Sequence, residues 1–246
     1  MDFTIKLADI AIRIHSLYDE VYEMCRGKLT DAPPMMEVTV TPEDIVYEDE
    51  KSRHEAAVEG HDPVDYPAPY LETLAVYRKI AVQMLAHDTF LMHGAVIAVG
   101  ERAWLFTAAS GTGKTTHIRL WLDHVPGSYV VNGDKPLIRV GDPPIVYGTP
   151  WAGKEGMFRD TGVPLCGIVL LERGTVNSIE PIALPQALPL LIQQTYRPAD
   201  RASLARTLTL LGDLALRVPL YRLRCDMRPE AALTAYAALS ADSPSS

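Results

Sequence analysis

The sequence is poor in cysteine, and its few cysteines form no recognisable pattern. Cys25, Cys166 and Cys225 lie far apart along the chain. Zinc sites need closely spaced cysteine or histidine pairs, and disulfide-rich folds need larger, even-numbered sets, so neither is expected. We expect three reduced thiols that pack as small apolar side chains, which fits a cytoplasmic protein.

The chain also lacks an excess of positive charge and a long apolar run. Its 23 Lys and Arg residues are outnumbered by 31 Asp and Glu residues, which gives a net charge of −8. A general nucleic-acid binder needs a basic surface for phosphate contacts, so that class is disfavoured. No stretch approaches the roughly 20 apolar residues of a membrane helix, and the first residues lack a signal-peptide pattern. We therefore expect a cytoplasmic protein without nucleic-acid or membrane partners.

Two regions with different patterns divide the chain. In residues 1–68, apolar and polar residues alternate in short runs, and the phase changes near Ala8 and Asp9, which indicates a turn or bulge. We predict a small, mostly antiparallel β region over residues 1–68, with a charged, proline-containing loop or linker at residues 48–69. The alternating apolar residues are Phe3, Ile5 and Leu7, then Ile10, Ile12 and Ile14, then Val38 and Val40.

The second region, residues 69–246, mixes helical and strand patterns and is expected to form an α/β domain. A nearly continuous apolar run at residues 164–174 is typical of a strand covered on both faces, and residues 177–182 are expected to pair beside it. Helices are expected at residues 70–88, from Lys114 to about His124, at 184–195, at about 198–216 and at 228–240. Further strands or hairpins are expected on both sides of Gly100, and at 128–132, 137–148 and 219–226.

The strongest motif is the stretch AASGTGKT at residues 108–115, which nearly matches the phosphate-binding pattern G-x-x-x-x-G-K-[ST]. In that pattern glycines let backbone N–H groups turn towards a phosphate, and the following helix adds its positive end. Lys114 would reach the β- and γ-phosphates, and the Thr115 hydroxyl would bind Mg²⁺. The one departure is Ala108, which stands where the pattern has glycine. The expected nucleotide-binding residues are Ala109, Ser110, Gly111, Thr112, Gly113, Lys114, Thr115 and Thr116.

A bound triphosphate requires Mg²⁺, and Mg²⁺ requires a carboxylate at the end of a neighbouring strand. Asp134, just past the strand at 128–132, is the preferred candidate because one helix separates it from the loop in a compact unit. Glu172, at the end of the apolar strand, is the alternative, although it is more simply a surface residue at a strand end.

Other polar residues are candidates for the reaction itself. His93 precedes the phosphate-binding strand and is either a core histidine or a residue that faces the γ-phosphate. The segment at 148–160 is expected to supply the acceptor side, with Trp151 as a cover and Lys154 and Arg159 as free cations; the alternative is a solvated loop with one packed Trp. Arg197 is a further candidate cation.

The order of these motifs resembles one family. HGA at 93–95 is followed by SGTGKT, then VVNGDKPLI, then YGTPWAGK, then VPLCGIVLLERG. This order is similar to the catalytic domain of HPr kinase/phosphorylase and its phosphoenolpyruvate-carboxykinase-like relatives. The closest likeness is to small HPr-kinase-related proteins, some of which are lasso-peptide tailoring kinases. It covers residues 90 to 175 well and the rest in outline.

The resemblance implies a carboxykinase-like P-loop kinase core with a mixed sheet over residues 69–246, which uses ATP and Mg²⁺. It implies that Lys114 holds the phosphates, that Thr115 and Asp134 bind the metal, and that His93 lies near the transferred phosphate. The family has two adjacent aspartates here, whereas this chain has Gly133 before Asp134. If the missing carboxylate is the base, either Glu155 or Asp160 substitutes, or the protein is slow or inactive; phosphoryl transfer depends mainly on positioning and charge.

The expected function is therefore an ATP-dependent kinase that phosphorylates a hydroxyl, with serine of a peptide or protein, or a small metabolite, as acceptor. Three alternatives stay open. They are a carboxykinase that makes phosphoenolpyruvate, for which the chain is short; a nucleotide-binding regulatory module without chemistry; and a phosphorylase or phosphatase that runs the transfer backwards. The sequence has no motif that reads the nucleobase, and a homo-oligomer is compatible with it but not indicated.

Overall fold

A computed structural model describes residues 1–241 of the chain. Two compact units are present, Met1–Met84 and a second unit that begins at Leu85. The division falls after the helix Ala68–Gln83, not after residue 68 as expected. The reason is that this helix pairs with a second helix of the first unit through several charged side chains.

The first unit contains a three-stranded sheet. β1 (Asp2–Leu7) and β2 (Ile10–His15) form an antiparallel hairpin, and β3 (Met36–Thr39) joins β2 in parallel. The expected turn is confirmed, because Ala8 and Asp9 take φ values of 44° and 61°, the left-handed conformation of tight hairpin turns. The N-terminal antiparallel sheet is therefore confirmed, with β3 as a parallel addition.

The first unit also contains helices, and one of them contradicts the sequence prediction. They are α1 (Glu20–Met24), a 3-10 turn (Arg26–Lys28), α2 (Pro42–Glu59) and α3 (Ala68–Gln83). Most of the stretch expected to be a loop or linker, residues 48–69, is thus helical. Its charged composition reflects exposure rather than lack of structure.

Two local features account for α2. At its start, the Thr41 backbone N–H donates to Asp44 Oδ2 (2.9 Å), as in a capping box, and proline fits the first turn. Further along, Arg78 of α3 pairs with Asp44 at 3.0 Å and with Glu48, and Lys79 of α3 pairs with Asp44 at 2.6 Å. These partners lie more than 29 residues away in sequence, so the local pattern did not reveal them.

The second unit is built on a large mixed sheet, which confirms the expected α/β class. Its strands are β4 (Thr89–Leu91), β5 (Ala95–Val99), β6 (Arg102–Thr107), β7 (Ser128–Asn132), β8 (Leu137–Arg139), β9 (Ile145–Tyr147), β10 (Gly162–Arg173), β11 (Ser178–Pro181) and β12 (Leu220–Cys225). The central strand, β10, pairs in parallel with β6 and β12 and, at its first residues, antiparallel with β9. The order is β4-β8-β9-β10-β6-β5-β7; off this path, β12 pairs with β10, and β11 pairs with β12.

Helices cover both faces of this sheet. Along β10, Ile168 and Leu170 belong to one buried apolar cluster, and Val169 and Leu171 belong to another. The apolar run at 164–174 is therefore a strand buried on both faces, as predicted. A 3-10 turn (Met84–His87) precedes β4; the helices are α4 (Lys114–His124), α5 (Leu184–Gln194), α6 (Arg201–Arg217) and α7 (Glu230–Ala241).

The pairing of β11 corrects one expectation. Residues 178–181 do form a strand, but it pairs antiparallel with β12 and not with β10. β12 occupies the place beside β10 because its parallel pairing buries Leu220 and Leu223 next to the apolar centre of the sheet. No helix of the described residues is long and apolar enough to cross a membrane.

The strand directions bring several loops to one edge of the sheet. β6, β10 and β12 run parallel, and β5 runs antiparallel between β6 and β7. The ends of β6, β7, β10 and β12 and the start of β5 therefore meet at one edge, which we call the loop edge. His93, the 108–115 loop, Asp134 and Glu172 all follow or precede these strand ends.

Candidate functional site

The 108–115 loop has the predicted context. β6 ends at Thr107 and α4 begins at Lys114. Gly111 and Gly113 take φ values of 72° and 121°, a conformation that L side chains rarely adopt, so both glycines are required by the turn. Ala108 does not have a positive φ and is fully buried, so alanine at this position is compatible with the loop.

Arg173, at the end of β10, holds the outer side of this loop. Its Nη2 donates to the Gly111 carbonyl at 2.6 Å, and its Nε donates to the Thr112 carbonyl at 3.4 Å. Because C=O and N–H point in opposite directions across a planar peptide, the Gly113 N–H points away from Arg173. The sequence analysis did not identify Arg173, because its partners in the 108–115 loop lie far away along the chain and no local motif marks it.

Lys114 stands at the start of α4, within the loop. Its ammonium donates to the Ala108 carbonyl at 3.1 Å, so it crosses the loop from one end to the other. Burial lowers the pKa of Lys114, the nearby Asp134 carboxylate raises it, and the Lys135 charge lowers it. Lys114 therefore lies within electrostatic range of Asp134, as the sequence argument requires.

Asp134 follows β7 and is contacted by two cationic or ionisable side chains. His93 Nε2 lies 3.0 Å from Asp134 Oδ1, and the Lys135 ammonium donates to Oδ2. Burial alone would raise the pKa of Asp134, but the hydrogen bond from His93 and the charge of Lys135 outweigh it and lower the pKa to about 2. The structure thus brings the predicted residues His93, Lys114 and Asp134 together and keeps the carboxylate ionised.

A buried amide fixes the backbone around Asp134. Asn132 Oδ1 accepts hydrogen bonds from the backbone N–H groups of Asp134 (2.9 Å) and Lys135 (2.7 Å). Asn132 Nδ2 donates to the Thr149 carbonyl at 2.9 Å, and the Thr149 hydroxyl donates to the Lys135 carbonyl at 2.9 Å. Sequence reasoning missed Asn132 and Thr149, although an Asn at a strand end before Gly is a signal for such a side-chain turn.

A side chain at Gly133 would be crowded by the backbone of the 148–159 segment. A Cβ at this position would lie 3.0 Å from the Ala152 carbonyl oxygen and 3.3 Å from the Met157 carbonyl oxygen. The Gly133 N–H also donates to the Met157 carbonyl at 2.9 Å. The 148–159 segment therefore packs directly on the turn at 133, and an aspartate there would have to displace backbone.

Of the candidates on the 148–160 segment, Glu155 and Arg159 are held by partners other than the His93–Asp134 pair. Glu155 pairs with Arg119 of α4 at 2.9 Å, and the Arg159 guanidinium stacks over the Tyr129 ring at 4.2 Å. Lys154 is exposed. Trp151 and Asp160 differ in exposure: Trp151 is buried, as expected for a packed Trp, and Asp160 is exposed.

The two remaining candidates from the sequence are Glu172 and Arg197. Glu172 is contacted by Arg222 and Arg224, at 3.0 and 3.2 Å, rather than by Lys114. Arg197 is exposed and follows Gln194, whose carbonyl accepts a hydrogen bond from the His93 N–H at 2.7 Å. Arg197 therefore lies on a segment that is anchored beside the His93 strand end.

The ionisable side chains also limit the kind of metal site. Within the described part of the chain, no three His, Cys, Asp or Glu side chains are grouped as ligands of one ion. Ions such as Zn²⁺ require three or four such protein ligands, whereas Mg²⁺ in nucleotide sites takes one or two carboxylates and completes its shell with phosphates and water. A single carboxylate at Asp134 therefore fits the second kind of site.

Comparison with known proteins gives no assignment: no protein-family model matches the sequence, and no curated protein matches it.

Proposed function

We propose that this protein is an ATP-dependent kinase with a carboxykinase-like P-loop core, which transfers the γ-phosphoryl group to a hydroxyl. The observation that carries the proposal is the loop edge itself. There the glycine turn, the Lys114 ammonium and an ionised Asp134 carboxylate lie together, with His93 bonded to the carboxylate. The family resemblance adds the reaction type, since the geometry alone is compatible with any triphosphate-binding protein.

The loop residues fit the triphosphate of ATP. Residues 109–116 would hold the phosphates, with backbone N–H groups and the start of α4 as donors. Lys114 would exchange its bond to the Ala108 carbonyl for bonds to the β- and γ-phosphates. Such an exchange is favourable because a charged donor bonds more strongly to a charged acceptor than to a neutral carbonyl.

Mg²⁺ would be held by the Thr115 hydroxyl and Asp134. When bound, the ion neutralises charge that develops on the phosphates during transfer. Asp134 suits this role because its pKa of about 2 keeps it ionised at every physiological pH. His93 holds one carboxylate oxygen in place, and Asn132 fixes the backbone that carries the carboxylate.

No dedicated base is required for this reaction in the proposal. Phosphoryl transfer passes through a loose transition state in which positioning and charge neutralisation dominate. Lys114, Asp134 and His93 are therefore the proposed catalytic residues. The proposed acceptor is a serine hydroxyl of a peptide or protein, or a small metabolite, approaching from the side of Trp151 and Lys154.

The test is a transfer assay with the purified protein, Mg-ATP labelled at the γ-phosphate, and a panel of serine-containing peptides, proteins and hydroxylated metabolites. Lys114→Ala should reduce transfer by about a thousandfold, the scale of losing a charged group that stabilises the transferring phosphoryl. Lys6→Ala is the matched control, because Lys6 is an exposed lysine of β1 in the first unit and belongs to none of the proposed contacts. Label transfer that is equal in the wild type and Lys114→Ala would contradict the proposal.

A second candidate, a nucleotide-binding module without chemistry, is favoured by one observation. Gly133 replaces the family's additional aspartate, and the Ala152 and Met157 carbonyls occupy the space that its side chain would need. This candidate predicts tight binding of Mg-ATP without transfer or hydrolysis. Gly133→Asp is not a useful rescue, because the crowding would disturb the turn that carries Asp134.

A further inference from the structure

The strand β10 continues past the end of the strand that leads into the 108–115 loop. β6 and β10 pair in parallel, and the last residues that face each other are Thr107 and Leu170. β6 ends at that point, whereas β10 continues to Arg173 and pairs with β12 over this whole extension. The register therefore places Arg173 beside the loop that follows β6, on a strand that a neighbour still holds.

The Arg173 side chain reaches the loop from a fixed backbone. The N–H of the next residue, Gly174, donates to the Cys225 carbonyl at 2.8 Å. From this base, Arg173 Nη2 donates to the Gly111 carbonyl at 2.6 Å, and Nε makes a longer bond of 3.4 Å to the Thr112 carbonyl. Because the guanidinium is planar and rigid, its two nitrogens fix the directions of two consecutive carbonyls together.

These two carbonyls belong to the most freely rotating part of the loop. Gly111 and Gly113 flank Thr112, and a Cβ on either glycine would meet no non-neighbouring atom of the described chain within 4 Å. Glycine populates positive and negative φ almost equally, so the peptide groups on both sides of Thr112 can turn over at little cost unless a partner holds them. The local sequence thus leaves open the direction in which these peptide groups point.

The two peptide groups are held in different ways. In the first, between Gly111 and Thr112, the carbonyl is bonded to Arg173 and the N–H donates to the Ala109 carbonyl at 3.3 Å. In the second, between Thr112 and Gly113, the carbonyl is bonded to Arg173. The N–H of this second peptide group belongs to Gly113, which immediately precedes α4, so its direction decides whether it joins the unpaired N–H groups at the start of that helix.

We propose that Arg173 is a positioning residue for the phosphate chain, which keeps the Thr112–Gly113 peptide group turned so that its N–H and not its carbonyl faces a bound phosphate. The inference rests on the proposed function, since it takes the triphosphate to lie in the 108–115 loop. Arg173 acts from the outer side and does not touch the phosphates. It favours binding because the loop has its receptive conformation before the anion arrives, and a carbonyl turned inwards would repel that anion.

The experiment is isothermal titration calorimetry on the full chain with Mg²⁺-loaded ATP and Mg²⁺-loaded tripolyphosphate, which has the phosphate chain alone. Arg173→Gln should weaken the binding of both probes about 3- to 10-fold, the scale of one hydrogen bond. Arg173→Lys keeps the charge but has one nitrogen in place of the fork, so it should weaken both by about threefold or more. Arg224→Gln is the matched control: Arg224 is also exposed near a strand end, but it pairs with Glu172 at 3.2 Å.

Two further measurements, made without ligand, separate a change in the loop from a change in the whole unit. Hydrogen exchange of residues 109–116 should be about 3- to 10-fold faster in Arg173→Gln than in the wild type, because the loop opens more often. Exchange in β6 and β7 should stay at the wild-type rate. The urea midpoint of the second unit should also stay at its wild-type value, since Arg173 is exposed and its partners lie in the loop.

The outcomes separate this inference from the proposed function. Wild-type affinity for both probes in Arg173→Gln would overturn the positioning role while the triphosphate site stands. Full recovery in Arg173→Lys would also overturn it, because the residue would then act through its charge alone. Weaker binding together with a lower urea midpoint would mean that Arg173 supports the fold and not the loop. Failure of the wild type to bind either probe would overturn both proposals.

Discussion

At the scale of single residues, the geometry of the site depends on one buried amide. Asn132 is fully buried and bonds to the backbone on both sides of the Asp134 turn, through Oδ1 to Asp134 and Lys135 and through Nδ2 to Thr149. The sequence supplied the carboxylate that was expected, but the residue that orients it is two positions earlier. Its replacement should therefore affect both stability and nucleotide binding.

Asn132→Ala should lower the free energy of unfolding by about 3 kcal/mol, because buried N–H and C=O groups lose their partners. Urea unfolding followed by Trp fluorescence measures this in the second unit, since Trp104, Trp121 and Trp151 all lie there. Val176→Ala, at a side chain that is 71% exposed, is the control and should change stability by less than about 0.5 kcal/mol. A decrease in the free energy of unfolding below about 1 kcal/mol for Asn132→Ala would contradict the role of Asn132 in holding the Asp134 turn.

His15 should make the first unit's sheet sensitive to pH. Hydrogen bonds to Glu37 and then to Asp2, at 2.7 Å for Asp2, raise the pKa of His15 above its ordinary value of 6.5. Since the folded-state pKa is raised, the stabilisation is complete below pH 6.5 and is lost as the pH rises through the raised pKa. Asp2 lies on β1 and Glu37 on β3, so the protonated His15 links all three strands.

The measurement is hydrogen-exchange protection of the β2 amides, corrected for intrinsic rates, between pH 6 and pH 8.5. Protection should fall with rising pH in the wild type and should change less with pH in His15→Gln. His54→Gln, at an exposed histidine of α2, should behave as the wild type does. A wild-type profile as flat as that of His15→Gln would show that the two carboxylates do not stabilise the charged imidazole.

At the scale of elements, alanine substitutions at two glycines should have opposite effects on stability, because the space around the two positions differs. A Cβ on Gly148 would lie 1.9 Å from the Arg159 carbonyl oxygen and 2.5 Å from that of Val131. The 148–159 segment can approach β7 only because this position has no side chain. Gly148→Ala should therefore destabilise the second unit by about 4 kcal/mol or more, through backbone displacement.

Gly212, inside α6, is the matched position. A Cβ there would meet no atom of the described chain within 4 Å. Gly212→Ala should raise the free energy of unfolding by about 0.5–1 kcal/mol, because alanine costs less conformational entropy in a helix. Thermal unfolding of both variants distinguishes the cases; a stabilising Gly148→Ala would mean that the segment does not pack as described.

At the scale of the whole molecule, ligand binding should protect one unit and not the other. All the proposed ATP contacts belong to the unit that begins at Leu85. With Mg-ATP at about a hundred times its dissociation constant, linkage adds about 2.7 kcal/mol to the stability of that unit. Hydrogen exchange should slow at the 108–115 loop, the Asp134 turn and the end of β10.

Hydrogen exchange in β1, β2 and β3 should be the same with and without nucleotide. Lys114→Ala serves as the control and should remove most of the protection in the second unit. Uniform protection of both units, or protection that is unchanged in Lys114→Ala, would contradict the assignment of the nucleotide to the loop edge.

The local pattern predicted most elements of the second unit, because each strand or helix there carries its own periodic apolar face. The helix Lys114–His124 begins at the lysine of the motif, as expected, and the hairpin at Ala8 and Asp9 follows from the change of phase. Errors arose where the deciding partner is distant. The helix α2 depends on Arg78 and Lys79, and the place of β11 depends on its pairing with β12.

The sequence by itself determined the glycine turn, the lysine within it and the carboxylate at position 134, because these depend on residue type and spacing. Only the tertiary structure decided that His93 bonds to Asp134, that Arg173 holds the loop and that a side chain at Gly133 would be crowded by backbone. It also directed Glu155 and Arg159 to Arg119 and Tyr129 instead of to the site. The physical reason is that these contacts join residues brought together by strand order, which no local pattern encodes.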